Sequence, residues 1–347
     1  MVHLGIIARC DNTGLASQTW EYVRHLSPAK ILVIDVSRYA DQGDHCNKHA
    51  HRERFEGLDR VEYFENWVPS ESVCMRFLDG LDTVLSAETM YNPNMCHYAK
   101  RNNVKTVVAP NWEFFDPGLK PSLYIPPTTW HMDSMGPTKV IHMPNPVDTD
   151  RVKMREDLPK TAQHLIHMVG RPAVHDRNGT EFFLEALRKM VTPIKATIRC
   201  QDPSYVRGLN TQMPDHVELV VDNRNVPNYW NNYDDGDLLV MPRRYGGQCM
   251  PAQEAVAAGI PTIMTNISPN DDWLPQSWLI PATQTGAFRA KQFVDIYTPH
   301  TDALALKMQL MASNEEAYAE AKKKARQRRH RLSWDTLKEP FESLLIP

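Results

Sequence analysis

Short, continuously apolar runs separated by helix-length stretches constrain this chain more than any other feature. Leu4–Ala8, Lys30–Asp35, Asp82–Ala87 and Val104–Ala109 read as buried strands, with helical stretches at Thr19–Leu26 and Pro93–Arg101 between them. The pattern breaks at Met143-Pro-Asn-Pro-Val-Asp148, where two prolines flank a turn-prone asparagine, and this reads as a linker. It then restarts: Leu165–Val169, Ile194–Ile198, Val217–Val221, Leu238–Met241 and Pro261–Met264 as strands, with Glu181–Met190 helical and a charged helical stretch from about Asp302 to Leu345. Strands that are apolar throughout, rather than alternating, belong to parallel sheets covered on both faces. The expected fold class is therefore α/β, with two Rossmann-like halves.

Composition narrows the function classes. Its 347 residues suit about two domains and a large core without staples. With 39 Lys and Arg against 42 Asp and Glu, no whole-molecule field points to nucleic acid or anionic membrane, so a basic site has to be local. The six cysteines are scattered and form no C-x-x-C pair, as expected of reduced thiols. No basic leader precedes the first strand and no apolar run approaches 18 residues, so a cytoplasmic protein is expected.

Two segments carry chemistry. In the first, a strand ending at Met241 runs through Pro242-Arg-Arg-Tyr245-Gly246-Gly247-Gln248-Cys249-Met250 into a helix opened by Pro251 and closed by Gly259. The two glycines let backbone approach a ligand just ahead of a helix N-terminus, which suits phosphate. Glu254, expected in the first turn, is near enough to accept ribose hydroxyls. The alternative is an ordinary strand–loop–helix whose glycines serve tight packing. In the second segment, Gly170-Arg171…Arg177-Asn-Gly179, two guanidinium groups follow a strand and suit a diphosphate, or else are surface arginines beside a turn.

Together these motifs resemble glycosyltransferases of the GT-B fold, family 4 type. Gly170-Arg171…Arg177-Asn-Gly179 and, about 70 residues on, Tyr-Gly-Gly-x-x-x-Pro-x-x-Glu-Ala-x-Ala-x-Gly-x-Pro carry the C-terminal resemblance. Gly5-Ile-Ile-Ala-Arg-Cys-Asp-Asn-Thr-Gly14 is similar to the acceptor-side loop in enzymes of tailed phages. Residues 143–148 are similar to the interdomain hinge, and Ser333-Trp334 to the C-terminal helix. The resemblance implies a metal-independent, retaining transfer of sugar from a nucleotide diphosphate sugar, UDP-glucose-like, across a cleft between two facing sheets. It divides the chain into an acceptor-side domain over 1–147, a nucleotide-sugar domain over 148–325 and a returning C-terminal helix over 326–347.

Arg171 and Arg177 would hold the donor diphosphate, and Gly14, Tyr245, Gly246, Gly247, Gln248, Cys249, Met250 and Glu254 would complete the donor site. Glu254 matches the second glutamate of the family's E-x7-E pair. The first falls on Gly246, which cannot accept a sugar hydroxyl. On the acceptor side stand Asp11, Asn12, Thr13, Glu88 and Glu113, with Asp11 either orienting an acceptor hydroxyl as base or serving as a turn and helix cap.

His45-Cys46-x-x-His49-x-His51 lacks the spacing of a structural zinc site. Asp234-Asp-Gly-Asp237 and Asn270-Asp-Asp272 have a D-x-D look, but the first leads straight into a strand as a helix–strand turn would, and no metal is expected. Between Lys322 and Arg331, seven of ten residues are Lys or Arg. Lys322, Lys323, Lys324, Arg326, Arg328 and Arg329 are candidate DNA contacts, or else a solvated helix face. DNA contact would suit an acceptor that is a hydroxylated base in phage DNA, the alternative acceptor being a virion protein. Two other functions remain open: a GT-B sugar-nucleotide epimerase, and a silent DNA- or glycan-binding module.

Overall fold

A computed structural model describes residues 2–39, 50–170, 172–223 and 229–347. The chain divides into two compact units, one of residues Met1–Pro146 with Trp334–Pro347, the other of Val147–Ser333.

In the first unit, β1 (Leu4–Arg9) leads into α1 (Gly14–Leu26), β2 (Lys30–Ile34), β3 (Val61–Phe64), α2 (Glu71–Leu78), β4 (Thr83–Ala87), α3 (Met95–Arg101), β5 (Lys105–Ala109) and the short β6 (Leu123–Tyr124). All six strands are parallel, in the order β3-β2-β1-β4-β5-β6. The second unit repeats the plan with β7 (His164–Gly170), α4 (Thr180–Lys189), β8 (Ile194–Cys200), α5 (Pro203–Arg207), β9 (Val217–Asp222), β10 (Leu238–Met241), α6 (Met250–Ala257), β11 (Thr262–Thr265), α7 (Asn270–Trp273) and β12 (Leu279–Ile280). Its sheet order is β12-β11-β10-β7-β8-β9. A hairpin, β13 (Ala282–Arg289) and β14 (Phe293–Pro299), and helices α8 (Thr301–Ser313) and α9 (Glu315–Arg329) complete it. Finally α10 (Trp334–Leu345) belongs to the first unit.

Both sheets thus have the same doubly wound order, the second strand laid outward from the first and the fourth inward on its other side. The order reverses between β1 and β4 and again between β7 and β10. At such switch points the two flanking loops diverge and leave a crevice at the strands' C-terminal ends, where α/β proteins bind ligands.

Local chemistry explains the element ends. Thr13 caps α1, its hydroxyl accepting from Ala16 N at 3.2 Å. At the other end of α6, Gly259 (φ +79) and Ile260 return their N–H groups to Val256 O and Ala255 O, satisfying carbonyls the helix leaves open. The first unit is tied internally by a buried trio, with Gln18 Nε2 donating to Asn145 Oδ1 (2.9 Å) and Tyr22 Oη donating to the same oxygen (2.7 Å). Trp334 closes α10 onto α1, stacked on His25 at 4.5 Å with its indole N–H donating to Glu21.

In the second unit His167 is fully buried between β7, β10 and α4. One ring nitrogen meets Val240 O at 2.7 Å, the other Thr180 Oγ1 at 3.0 Å, and the ring stacks on Phe183. Burial lowers its pKa, as it does that of the buried His164. The unfolded chain therefore binds protons below about pH 6.5 that the folded chain refuses, so stability is full above that pH and falls as the pH drops. The unfolding midpoint is expected to decline between roughly pH 6.5 and 5.5, less steeply in His167→Gln. A midpoint flat across that range contradicts the assignment.

Cys10, Cys74, Cys96, Cys200 and Cys249 are buried and unbridged, and Cys46 lies outside the described residues with His45 and His49. No helix among the described residues is long and apolar enough to cross a membrane.

Candidate active site

The loops after β7 and β10 meet at the switch point of the second unit. After β7 the chain turns at Gly170 (φ +57), passes Arg171, which lies outside the described residues, and makes a tight turn with His175 and Asp176 in the left-handed region. Asp176, which the sequence did not single out, caps α4. Its carboxylate accepts from Thr180 N (2.9 Å), Glu181 N (3.1 Å) and the Tyr205 hydroxyl (2.7 Å). The N-terminus of α4 is thus filled by the protein's own anion. Gly179 (φ +72) presses against the other loop so closely that a Cβ there would lie 2.1 Å from Pro242 O.

Arg177 is held on that seam. Its carbonyl accepts Arg244 N at 2.8 Å, its guanidinium lies 5.5 Å from the Tyr245 ring, and its Cδ lies 3.6 Å from where a Cβ on Gly246 would be. Tyr245 is fixed by its hydroxyl donating to Val174 O at 2.6 Å and by Phe288 of the β13–β14 hairpin, whose ring centroid is 4.9 Å away. Gly246 has φ +110, closed to ordinary side chains. Gly247 O accepts from Arg243 Nη1 at 3.2 Å, Gln248 donates to Gln253 Oε1 at 2.6 Å, Cys249 is buried at the cap position and Met250 opens α6. The N-terminus of α6 therefore meets Arg177 across Gly246 and Gly247, with no acidic residue in its first turn.

Glu254 stands one residue further into the helix than expected, at its fifth position, because α6 starts at Met250 rather than Pro251. It is 2% exposed, and its Oε2 accepts from the Tyr229 hydroxyl (2.9 Å) and from that of Tyr233. Both phenols are raised above their ordinary pKa, first by burial and then by the Glu254 charge, so both stay protonated donors at neutral pH. Sequence reasoning missed this pair; the spacing Tyr229-x-x-x-Tyr233 was its signal. Tyr233→Phe removes a donor from a buried carboxylate and is expected to cost about 1–3 kcal/mol in denaturant unfolding. A loss below about 0.5 kcal/mol contradicts it.

In the first unit the switch point between β1 and β4 gathers Arg9, Asp11, Glu88 and Tyr91, whose buried phenol is raised in pKa. Asp11 is 2% exposed, ion-paired with Arg9 and accepting from Thr13 Oγ1 at 2.5 Å. Its printed partners are side chains, Arg9 and the hydroxyl of Thr13, the residue that caps α1, so the carboxylate steadies the turn into that helix. Asn12 Oδ1 meets His51 Nε2 at 2.5 Å, and Gly14 is the exposed first residue of α1. Glu88 (φ +60) accepts from Asn111 Nδ2 at 3.1 Å, while Glu113 is buried in the short turn after β5.

The basic run proves to be largely internal wiring. Lys322 donates to Pro159 O, Lys324 to Ser277 Oγ, Arg326 pairs with Glu156, and Arg328 donates to Trp273 O. Arg329 spans the carbonyls of Thr149, Val152 and Ala257, the last at the C-terminal end of α6 where a cation is favoured. Of the six candidate DNA contacts Lys323 alone has no described partner of this kind, and Arg326 stays exposed beside Glu156. The Asp234–Asp237 run is also engaged. Asp237 accepts Gln163 N and His164 N, and Asp235 pairs with Arg199.

No curated protein matches the sequence. Residues 163–292 match the family described as Glycosyl transferases group 1. Among solved structures, a HepE of Anabaena in complex with UDP and glucose is similar with TM-score 0.70 at 13% identity, each chain covered to 99%. A sucrose-phosphate synthase of Thermosynechococcus elongatus is similar with TM-score 0.68 at 13% identity, over 99% of this chain and 98% of that one. The lipopolysaccharide outer core galactosyltransferase WaaB reaches 0.64 at 10% identity over 98% of both. The chain thus has the GT-B fold of two Rossmann-like units, and the stretch that matches the group 1 glycosyl transferase family lies within its second unit.

Proposed function

We propose that the protein transfers a sugar from a nucleotide diphosphate sugar to an acceptor hydroxyl, with retention and without a metal. The observation that carries this reading is the seam at the β7–β10 switch point, where Arg177, Gly246, Gly247 and the N-terminus of α6 converge. A diphosphate placed there has a guanidinium on one side and helix N–H groups on the other. As the bond from the sugar C1 to the diphosphate breaks, charge grows on the phosphate oxygens, and these fixed donors stabilise it without moving. The acceptor oxygen then bonds to C1 on the same face, and its proton passes to the departing phosphate. No protein nucleophile takes part, and with the phosphate taking the proton no separate protein base is required, in keeping with the pairing of Asp11 with Arg9.

Glu254, held in one orientation by Tyr229 and Tyr233, binds the donor ribose. The complex of HepE with UDP and glucose makes UDP-glucose the first donor to test. On the acceptor side we assign Asn12, Glu88 and Glu113 to acceptor binding. The internal partners of the basic run remove the reason to favour DNA over a virion protein or a smaller hydroxyl acceptor.

The test is release of nucleoside diphosphate from UDP-, GDP-, ADP- and TDP-glucose, with and without hydroxymethylated DNA and simple glycosides as acceptors. Acceptor-stimulated release supports transfer. Interconversion of the donor sugar without acceptor would instead identify an epimerase, and salt-sensitive DNA binding with no turnover a binding module.

A further inference from the structure

Arg243 and Arg244 are adjacent in sequence and opposite in fate. Arg244 reaches outward to carbonyls, donating to Tyr297 O at 3.0 Å and His175 O at 2.7 Å. Arg243 turns inward and is 4% exposed. Its Nη1 donates to Gly247 O at 3.2 Å, while its buried Nε has no partner among the described residues. No carboxylate among the described residues pairs with it. Its Nη2 borders Gly246, 2.6 Å from where a Cβ at that position would stand.

A buried guanidinium answered only by one carbonyl is costly, and it is normally met by an anion. Here the cation lies directly beside the glycine loop that also touches Arg177 and precedes α6. We propose that Arg243 is a donor-binding residue whose Nη2 edge takes an anionic oxygen of the nucleotide sugar. The inference rests on the nucleotide-sugar reading above and deepens it. The same contact explains Gly246: any side chain there would displace the guanidinium, so glycine at 246 and arginine at 243 form one device. The anionic oxygen belongs either to the diphosphate or to a carboxylate on the transferred sugar.

Calorimetric titration of full-length wild type and Arg243→Gln separates these sources, using UDP, UMP, UDP-glucose and UDP-glucuronate, or the corresponding set for whichever base wild type prefers. If the anion is a phosphate, Arg243→Gln weakens nucleoside diphosphate at least about tenfold and leaves the monophosphate within about twofold. If it is a sugar carboxylate, diphosphate binding is unchanged and the preference for the uronate donor over the neutral one falls by at least about tenfold. Gly246→Ala is expected to reproduce whichever loss appears. Should Arg243→Gln fail to fold, Arg243→Lys keeps the charge on a shorter stem and is expected to bind more weakly than wild type. Affinities for all four ligands unchanged in a folded variant overturn the proposal and leave the nucleotide-sugar reading standing. Wild type that binds no nucleoside diphosphate overturns both.

Discussion

Arg177→Ala is expected to lower turnover on the order of 100- to 1,000-fold, the loss of one fixed donor to a departing charge, worth roughly 2.7–4 kcal/mol in the transition state. The folded protein should lose little, because the backbone of residue 177 makes the structural contact: its carbonyl accepts Arg244 N, and alanine keeps that carbonyl. The guanidinium lies over Tyr245, a contact worth about 0.5–1 kcal/mol at a half-exposed position. Arg177→Lys, which keeps the charge and loses the fork, is expected to fall between alanine and wild type. Single-turnover rates with saturating donor, read beside unfolding midpoints, check both halves. Unchanged turnover in Arg177→Ala removes this residue from the site.

Gly179→Ala is expected to fail in the opposite way, through the fold. An L-residue at φ +72 costs about 1–2 kcal/mol, and a Cβ 2.1 Å from Pro242 O forces backbone apart, adding about 1–3 kcal/mol. Together these are about 2–5 kcal/mol, a fall in unfolding midpoint on the order of 10 °C for a unit of this size. Because Pro242 begins the loop that carries Arg243 to Cys249, what remains folded should also bind donor poorly. A midpoint within about 2 °C of wild type would mean that the two loops are not locked together here.

These two neighbours show what the sequence made legible. Most of the central strands are continuously apolar and could be read run by run, and the glycine loop and Arg177 stood out by spacing. β3 is half-buried throughout and β6 and β12 are two residues long, so these edge strands could not be read this way. The β13–β14 hairpin could not: β13 is Ala-Thr-Gln-Thr-Gly-Ala-Phe-Arg, mostly exposed and nearly without apolar alternation. Nor could the fates of Arg243 and Arg244, since the direction of each side chain depends on what the fold packs beneath it. The internal partners of the basic run were hidden for the same reason. Lys322 and Arg329 satisfy carbonyls of residues 149–159 and 257, partners far away in sequence. The partners of Asp11, the Arg9 guanidinium and the Thr13 hydroxyl, likewise became visible only in the fold.

The central claim is that the seam of Arg177, the glycine loop and α6 binds a nucleoside diphosphate without metal. Thermal unfolding with UDP, GDP, ADP and TDP, each with and without EDTA, tests it most directly. A ligand at 100 times its dissociation constant adds about 2.7 kcal/mol to the folded state. The account predicts stabilisation by one nucleotide, unaffected by EDTA and lost in Arg177→Ala. Stabilisation that requires metal, or none with any nucleotide, would contradict it.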